Sequence, residues 1–61
     1  MDAEPEAGEI WEHHSGHFYR VLCLAAAEAT GERLIVYQSQ TDGRRWVRPL
    51  AEWAARFEKI I

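Results

Sequence analysis

The sequence predicts a mainly β domain, a small SH3-like antiparallel barrel of about five strands with one short helical turn near residues 50–54. Three observations carry that prediction. Short β-branched and aromatic segments are punctuated by the turn signals Ser15-Gly16, Thr30-Gly31 and Thr41-Asp42-Gly43. Tyr19, Val21, Cys23 and Ala25 alternate with residues of the opposite face, the period of a strand with one side on a core. Pro49 then stops the extended pattern and suits the first position of a helical turn.

Taken in order, residues 1–7 combine Pro5, acids and alanines without periodicity and read as a flexible acidic arm, leaving residues 8–61 as the single barrel domain. Ile10-Trp11-Glu12-His13-His14 is a first short strand, and His17 to Ala25 a second. Ala25-Ala26-Ala27-Glu28-Ala29 has helical propensity, but Thr30-Gly31 interrupts it within a turn, so a strand end and loop is expected. Leu34-Ile35-Val36-Tyr37 is the clearest strand, and Arg45-Trp46-Val47-Arg48 returns after the Asp-Gly pair. Leu50, Trp53, Ala54 and Phe57 follow helical spacing, yet four strands joined by short turns leave an edge in need of cover. A turn followed by a strand from Phe57 to Ile60 is therefore expected. The core expected from this pattern is Tyr19, Val21, Cys23, Val36, Trp46, Val47 and Trp53.

Composition narrows the function classes. A chain of 61 residues buries only about 60% of its unfolded surface, so little core is left for a deep catalytic pocket. The aromatic residues Trp11, Phe18, Tyr19, Tyr37, Trp46, Trp53 and Phe57 supply the large buried areas such a domain needs. Cys23 is the sole cysteine, which excludes an internal disulfide or a thiolate zinc cluster and suits a reducing compartment. The first residues have neither the basic nor the apolar region of a signal peptide, and no run approaches the ~18 apolar residues of a membrane span. A cytoplasmic location without membrane association is expected. Residues 1–12 carry five acids and no base, leaving the remainder at a net charge of +2. That is too little for a strongly basic nucleic-acid-binding domain.

Gly8, Trp11, His13, Gly16, Tyr19, Val21, Ala25, Thr30, Glu32, Val36, Tyr37 and the run Trp46-Val47-Arg48-Pro49 fall in an order and spacing that resembles the bacterial family catalogued as domain of unknown function 1653. The similarity covers residues 8 to about 57, with Trp-Val-Arg-Pro its most specific part and Trp53 matching the aromatic beyond the proline. The resemblance implies a small, usually stand-alone SH3-like barrel and no established activity. Ala27, Glu28 and Ala29 stand where the family often has histidine, serine and glutamate, and Ser39-Gln40 replaces its usual Leu-Tyr.

Candidate chemistry is sparse. A two-residue turn at Ser15-Gly16 would set His14 opposite His17 with Glu12 on the same face, a set of donors able to hold a divalent metal in a metal-dependent activity. Imidazoles at a solvated hairpin tip are the commoner outcome, and no metal or cofactor is assigned. Cys23 reads as a small buried apolar residue, too far along its strand from His17 to form a thiol–imidazole pair. No catalytic constellation is legible. The expectation is a non-enzymatic protein-binding or assembly module, with an unknown protein partner or self-association, acting through an aromatic and arginine surface of His13, Tyr37, Trp46 and Arg48. The alternative is weak nucleic-acid binding through Arg33, Arg44, Arg45 and Arg48. Arg48 is held extended by Pro49, and Trp46 two residues earlier offers its guanidinium a ring.

Overall fold

The computed structural model describes residues 4–61. Five antiparallel strands, β1 (Ile10–His13), β2 (Phe18–Ala26), β3 (Arg33–Ser39), β4 (Arg45–Pro49) and β5 (Phe57–Lys59), form one sheet in the order β4-β3-β2-β1-β5. A 3-10 turn over Leu50–Glu52 leads into the single-turn helix α1 (Trp53–Arg56), which joins β4 to β5. The mainly β, SH3-like expectation is therefore correct, with one qualification. The sheet is not closed between β4 and β5, so it is an open, barrel-like sheet.

Local chemistry explains the joints. The first hairpin turns through His14-Ser15-Gly16, with the Gly16 amide donating to the His13 carbonyl at 2.8 Å and the His13 amide to the His17 carbonyl at 2.8 Å. Gly16 sits at φ +97°, a left-handed backbone that glycine alone adopts without strain. Three turn residues, rather than two, set the register Glu12↔Phe18 and Trp11↔Tyr19. The Ala-rich stretch leaves β2 at Ala26 and turns back through the Ala27 amide, bonded to the Glu32 carbonyl at 2.8 Å. In the third turn the Ser39 hydroxyl accepts the amides of Thr41 and Asp42 at 3.1 and 3.4 Å. Ser39 thus has a structural role in this chain at a position that departs from the family pattern.

The helical spacing of Trp53 and Phe57 is used in an unexpected way. Phe57 has left the helix for an extended backbone (φ −127°, ψ 149°), yet its ring still stacks on Trp53 at 3.7 Å with the planes 6° apart. β5 then pairs with β1 through Trp11↔Lys59, Glu12↔Glu58 and His13↔Phe57. The turn-plus-strand reading of the C-terminus holds.

The core is Val21, Ile35, Tyr37, Trp53 and Phe57, with Trp11, Tyr19, Leu24 and Leu50 packed against it. Five members of the predicted core need correction. A bulge between Val21 and Cys23 shifts the β2–β3 register, so that Val21 pairs with Tyr37 but Cys23 with Val36. One extra residue reverses the facing of everything after it. Leu24 turns inward opposite Ile35, and Cys23 is exposed rather than buried. Val36 and Val47, paired with each other, share the outer face with Cys23: Val36 is half-buried and Val47 is 59% exposed. Trp46 faces the core side opposite Tyr37 but is 46% exposed, because β4 has no strand beyond it. Tyr19 is half-buried among rings.

Part of the acidic arm has a seat. Pro5 is buried and lies against the groove bordered by Trp11, Leu50 and Trp53, while Glu4 pairs with Arg33 at 2.6 Å. Residues 1–3 of the arm lie outside the described residues.

The bulge makes a stability prediction. Val21 is 1% exposed, so Val21→Ala is expected to cost on the order of 1–3 kcal/mol of unfolding free energy. Cys23→Ser, two residues on, should stay within about 0.5 kcal/mol because that side chain already faces solvent. Paired urea melts check both, and a Cys23 effect as large as that of Val21 would mean that β2 runs without the bulge.

Candidate functional site

The four residues expected to form a surface come from three strands. His13 ends β1, Tyr37 lies in β3, and Trp46 and Arg48 lie in β4. Register brings all four to the core side of the sheet, since Trp46 is opposite Tyr37 and Arg48 opposite Ile35, while His13 is opposite Phe57. Three of them, His13, Tyr37 and Arg48, meet at the Phe57 ring. His13 meets it edge-on at 4.8 Å and Tyr37 at 5.6 Å, and the Arg48 guanidinium stands 5.6 Å from its centroid. Trp53 covers it in the parallel stack.

Arg48 is held by three neighbours. Its Nε donates to the Tyr37 hydroxyl at 3.3 Å, its Nη1 lies 3.5 Å from the Glu52 carboxylate, and Phe57 lies beneath the cation. Proline at position 49 adds stiffness to the backbone carrying it. The ring partner is thus Phe57, and the expectation that Trp46 would take this role is corrected. Trp46 remains free at the rim, on the same face as the fixed guanidinium. Phe57 is the member of the group that sequence reasoning missed, while Glu52 is an acid that the sequence already offers Arg48 as a salt-bridge partner. The available signal for Phe57 was its spacing, four residues beyond Trp53, as Glu52 is four beyond Arg48.

The histidines adopt a different arrangement from the metal-binding one. The three-residue turn sets His13, not His14, opposite His17, and Glu12 is paired with Phe18. His14 instead packs on His13 with ring centroids 4.2 Å apart, and the Ser15 hydroxyl bridges His13 Nδ1 at 2.8 Å and His17 Nδ1 at 3.1 Å. Glu12, His14 and His17 do not assemble. Among the described residues no group of three or more His, Cys, Asp or Glu side chains is placed to share a metal ion. Partial burial against the aromatic cluster depresses the pKa of His13 below its ordinary 6.5, and the nearby His14, Arg48, Arg56 and His17 push it the same way.

The arginines proposed for nucleic-acid contact are dispersed. Arg45 and Arg48 face opposite sides of β4, and Arg33 begins the strand whose far end leads to Arg44. Arg33 is paired with Glu4, Arg44 with Asp42 at 3.8 Å, and Arg48 with Glu52. Two depressions flank α1. One, of about 530 Å³, is bordered by Trp11, Trp53 and Glu9; the other, of about 330 Å³, by His13, His14 and Arg56. Phe57 borders both depressions and His13 the second, whereas Tyr37, Trp46 and Arg48 line neither. Among the described residues no helix is long and apolar enough to cross a membrane.

Fold and surface together define a small SH3-like domain with an aromatic and arginine rim. Residues 9–59 match the family described as "Protein of unknown function (DUF1653)", and the chain belongs to it. No curated protein and no solved structure matches the chain.

The histidine environment gives a pH prediction. Because the folded state holds the His13 pKa below its unfolded value, unfolded chains bind this proton first as pH falls. The stability that neutral His13 contributes is complete above about pH 7 and is lost as pH falls through the ordinary histidine range. The melting temperature should therefore drop between about pH 7 and pH 5.5, and His13→Asn should flatten that slope. An unchanged slope in the variant would assign the effect to other groups.

Proposed function

We propose that this chain is a non-enzymatic recognition module whose contact surface is the rim formed by His13, Trp46 and Arg48, with the buried Tyr37 holding Arg48 from beneath, and whose partner is a protein. One observation supports this reading above the others. An immobilised guanidinium stands on the same strand face as a tryptophan that is 46% exposed. Aromatic rings and arginine are the side chains that protein interfaces favour, because each buries much area for little lost freedom. Arg48 has already lost that freedom before any partner arrives. A cytoplasmic setting fits a chain whose single thiol, Cys23, is exposed and unpaired.

Lysine keeps the charge of Arg48 without its planar fork, which separates recognition from support. In the Arg48→Lys variant, the melting temperature is expected to stay within about 4 °C of wild type while recovery of the bound partner from native lysate is lost. Arg48→Ala, which also removes the contacts to Tyr37, Glu52 and Phe57, is expected to lower both. Wild-type stability together with wild-type recovery in Arg48→Ala would reduce Arg48 to an ordinary surface charge.

A further inference from the structure

The edge of β4 carries a pattern that the fold itself leaves unused. β4 ends the sheet, and Arg45, Trp46 and Val47 are all exposed along it. Its free hydrogen-bonding groups follow from the preceding turn. The Ser39 amide donates to the Arg44 carbonyl at 2.8 Å, which makes those two residues a hydrogen-bonded pair. Alternation along an antiparallel ladder then directs the main-chain groups of Trp46 and Arg48 to β3. Those of Arg45, Val47 and Pro49 point away from the sheet.

We propose that this edge pairs with the same edge of a second copy, antiparallel, about a two-fold axis at Val47. The inference rests on the rim's being a protein-contact surface and names its partner. In this register the Val47 amides and carbonyls of the two copies bond to each other, and each Arg45 amide reaches the Pro49 carbonyl opposite. Pro49 lacks an N–H, so the Arg45 carbonyl at each end of the ladder is left to water and about four interchain bonds form. Trp46 then lies directly across from Arg48 of the second copy, on the face where that guanidinium is already fixed. The ring–cation contact forms twice, and no arginine faces another.

Neighbouring registers lose these features. An axis at Arg48 or at Arg45 sets like charges opposite one another, and an axis at Pro49 meets two residues with no amide proton. An axis at Trp46 sets Arg44 across from Arg48 on both sides. Arg45 and Pro49, which elsewhere serve to blunt an exposed edge, here select one pairing. The outer face gains as well, because the two Val47 side chains, each 59% exposed in the single copy, meet at the axis.

Sedimentation equilibrium from low micromolar to millimolar protein is expected to show a reversible monomer–dimer transition. Val47→Lys places two ammonium groups at the axis, and Val47→Pro removes only an outward-facing amide. Each should raise the dissociation constant by at least about tenfold, with the circular-dichroism spectrum of the dilute monomer unchanged. Amide exchange in the wild type gives an independent reading that needs no variant. The Val47 and Arg45 amides should slow roughly tenfold as concentration rises, while the Trp46 amide, already bonded to β3, is protected throughout. If the wild type is monomeric at every concentration but Arg48→Lys still loses its lysate partner, self-pairing is wrong and the recognition surface stands. If the dimer forms and neither Val47 variant nor Val47 exchange responds, the two copies meet elsewhere and the proposal is overturned.

Discussion

The parallel stack of Trp53 on Phe57 is the contact on which the other parts of this domain converge. It joins α1 to β5, and that strand is what covers β1. Four further side chains, His13, Tyr19, Tyr37 and Arg48, approach the same Phe57 ring from four different strands. A domain of this size has few large groups, so one ring must serve both as core and as platform for the surface above it. The arrangement carries a cost. The Trp53 indole nitrogen is buried without a hydrogen-bond partner among the described residues, enclosed by the Trp11 and Tyr37 rings at 5.7 and 4.9 Å. A lost hydrogen bond of this kind costs about 1–3 kcal/mol. Ring burial offsets it.

The β2 bulge is the second constraint, and it divides the sheet functionally. Before it, Tyr19 and Val21 support the aromatic cluster; after it, Leu24 takes over the inward positions, and Cys23, Val36 and Val47 line up outside. The sheet ends differently on its two sides. β5 is three residues long and tied by the last residues of the chain, with the Ile10 amide bonded to the Ile61 carbonyl at 3.0 Å. β4 is five residues long and has no such cover. The rim of Trp46 and Arg48 exists because the sheet does not close there.

Much of the candidate surface was legible because period-2 alternation is a local property. Trp46 and Arg48 must share a face whatever the rest of the chain does, and Pro49 must hold Arg48 extended. What lies beneath Arg48 was not legible in the same way. Trp46, nearest along the strand, was the natural ring to choose, whereas Phe57 reaches Arg48 only after the chain has turned through α1 and paired with β1. The histidine register failed for a smaller reason. One residue more in the turn, accommodated by the positive φ of Gly16, replaces His14 by His13 as the partner of His17 and dissolves the metal-binding set.

By itself the sequence determined the number and order of the strands, the turns between them, the break at Pro49 and membership of a family marked by Trp46-Val47-Arg48-Pro49. Those features follow from short-range sterics: β-branched and aromatic residues extend, glycine bends, and proline stops a ladder. Only the tertiary structure decided that Cys23 and Val47 face solvent, that Pro5 is buried, and that the sheet stays open beside β4. Each of these depends on a partner distant in sequence. The bulge is set where β2 must pair with both β1 and β3, and the seat of Pro5 exists only after Trp11, Leu50 and Trp53 have come together. The fate of an apolar side chain is decided by which residue stands across from it, and that is fixed by the pairing of whole strands.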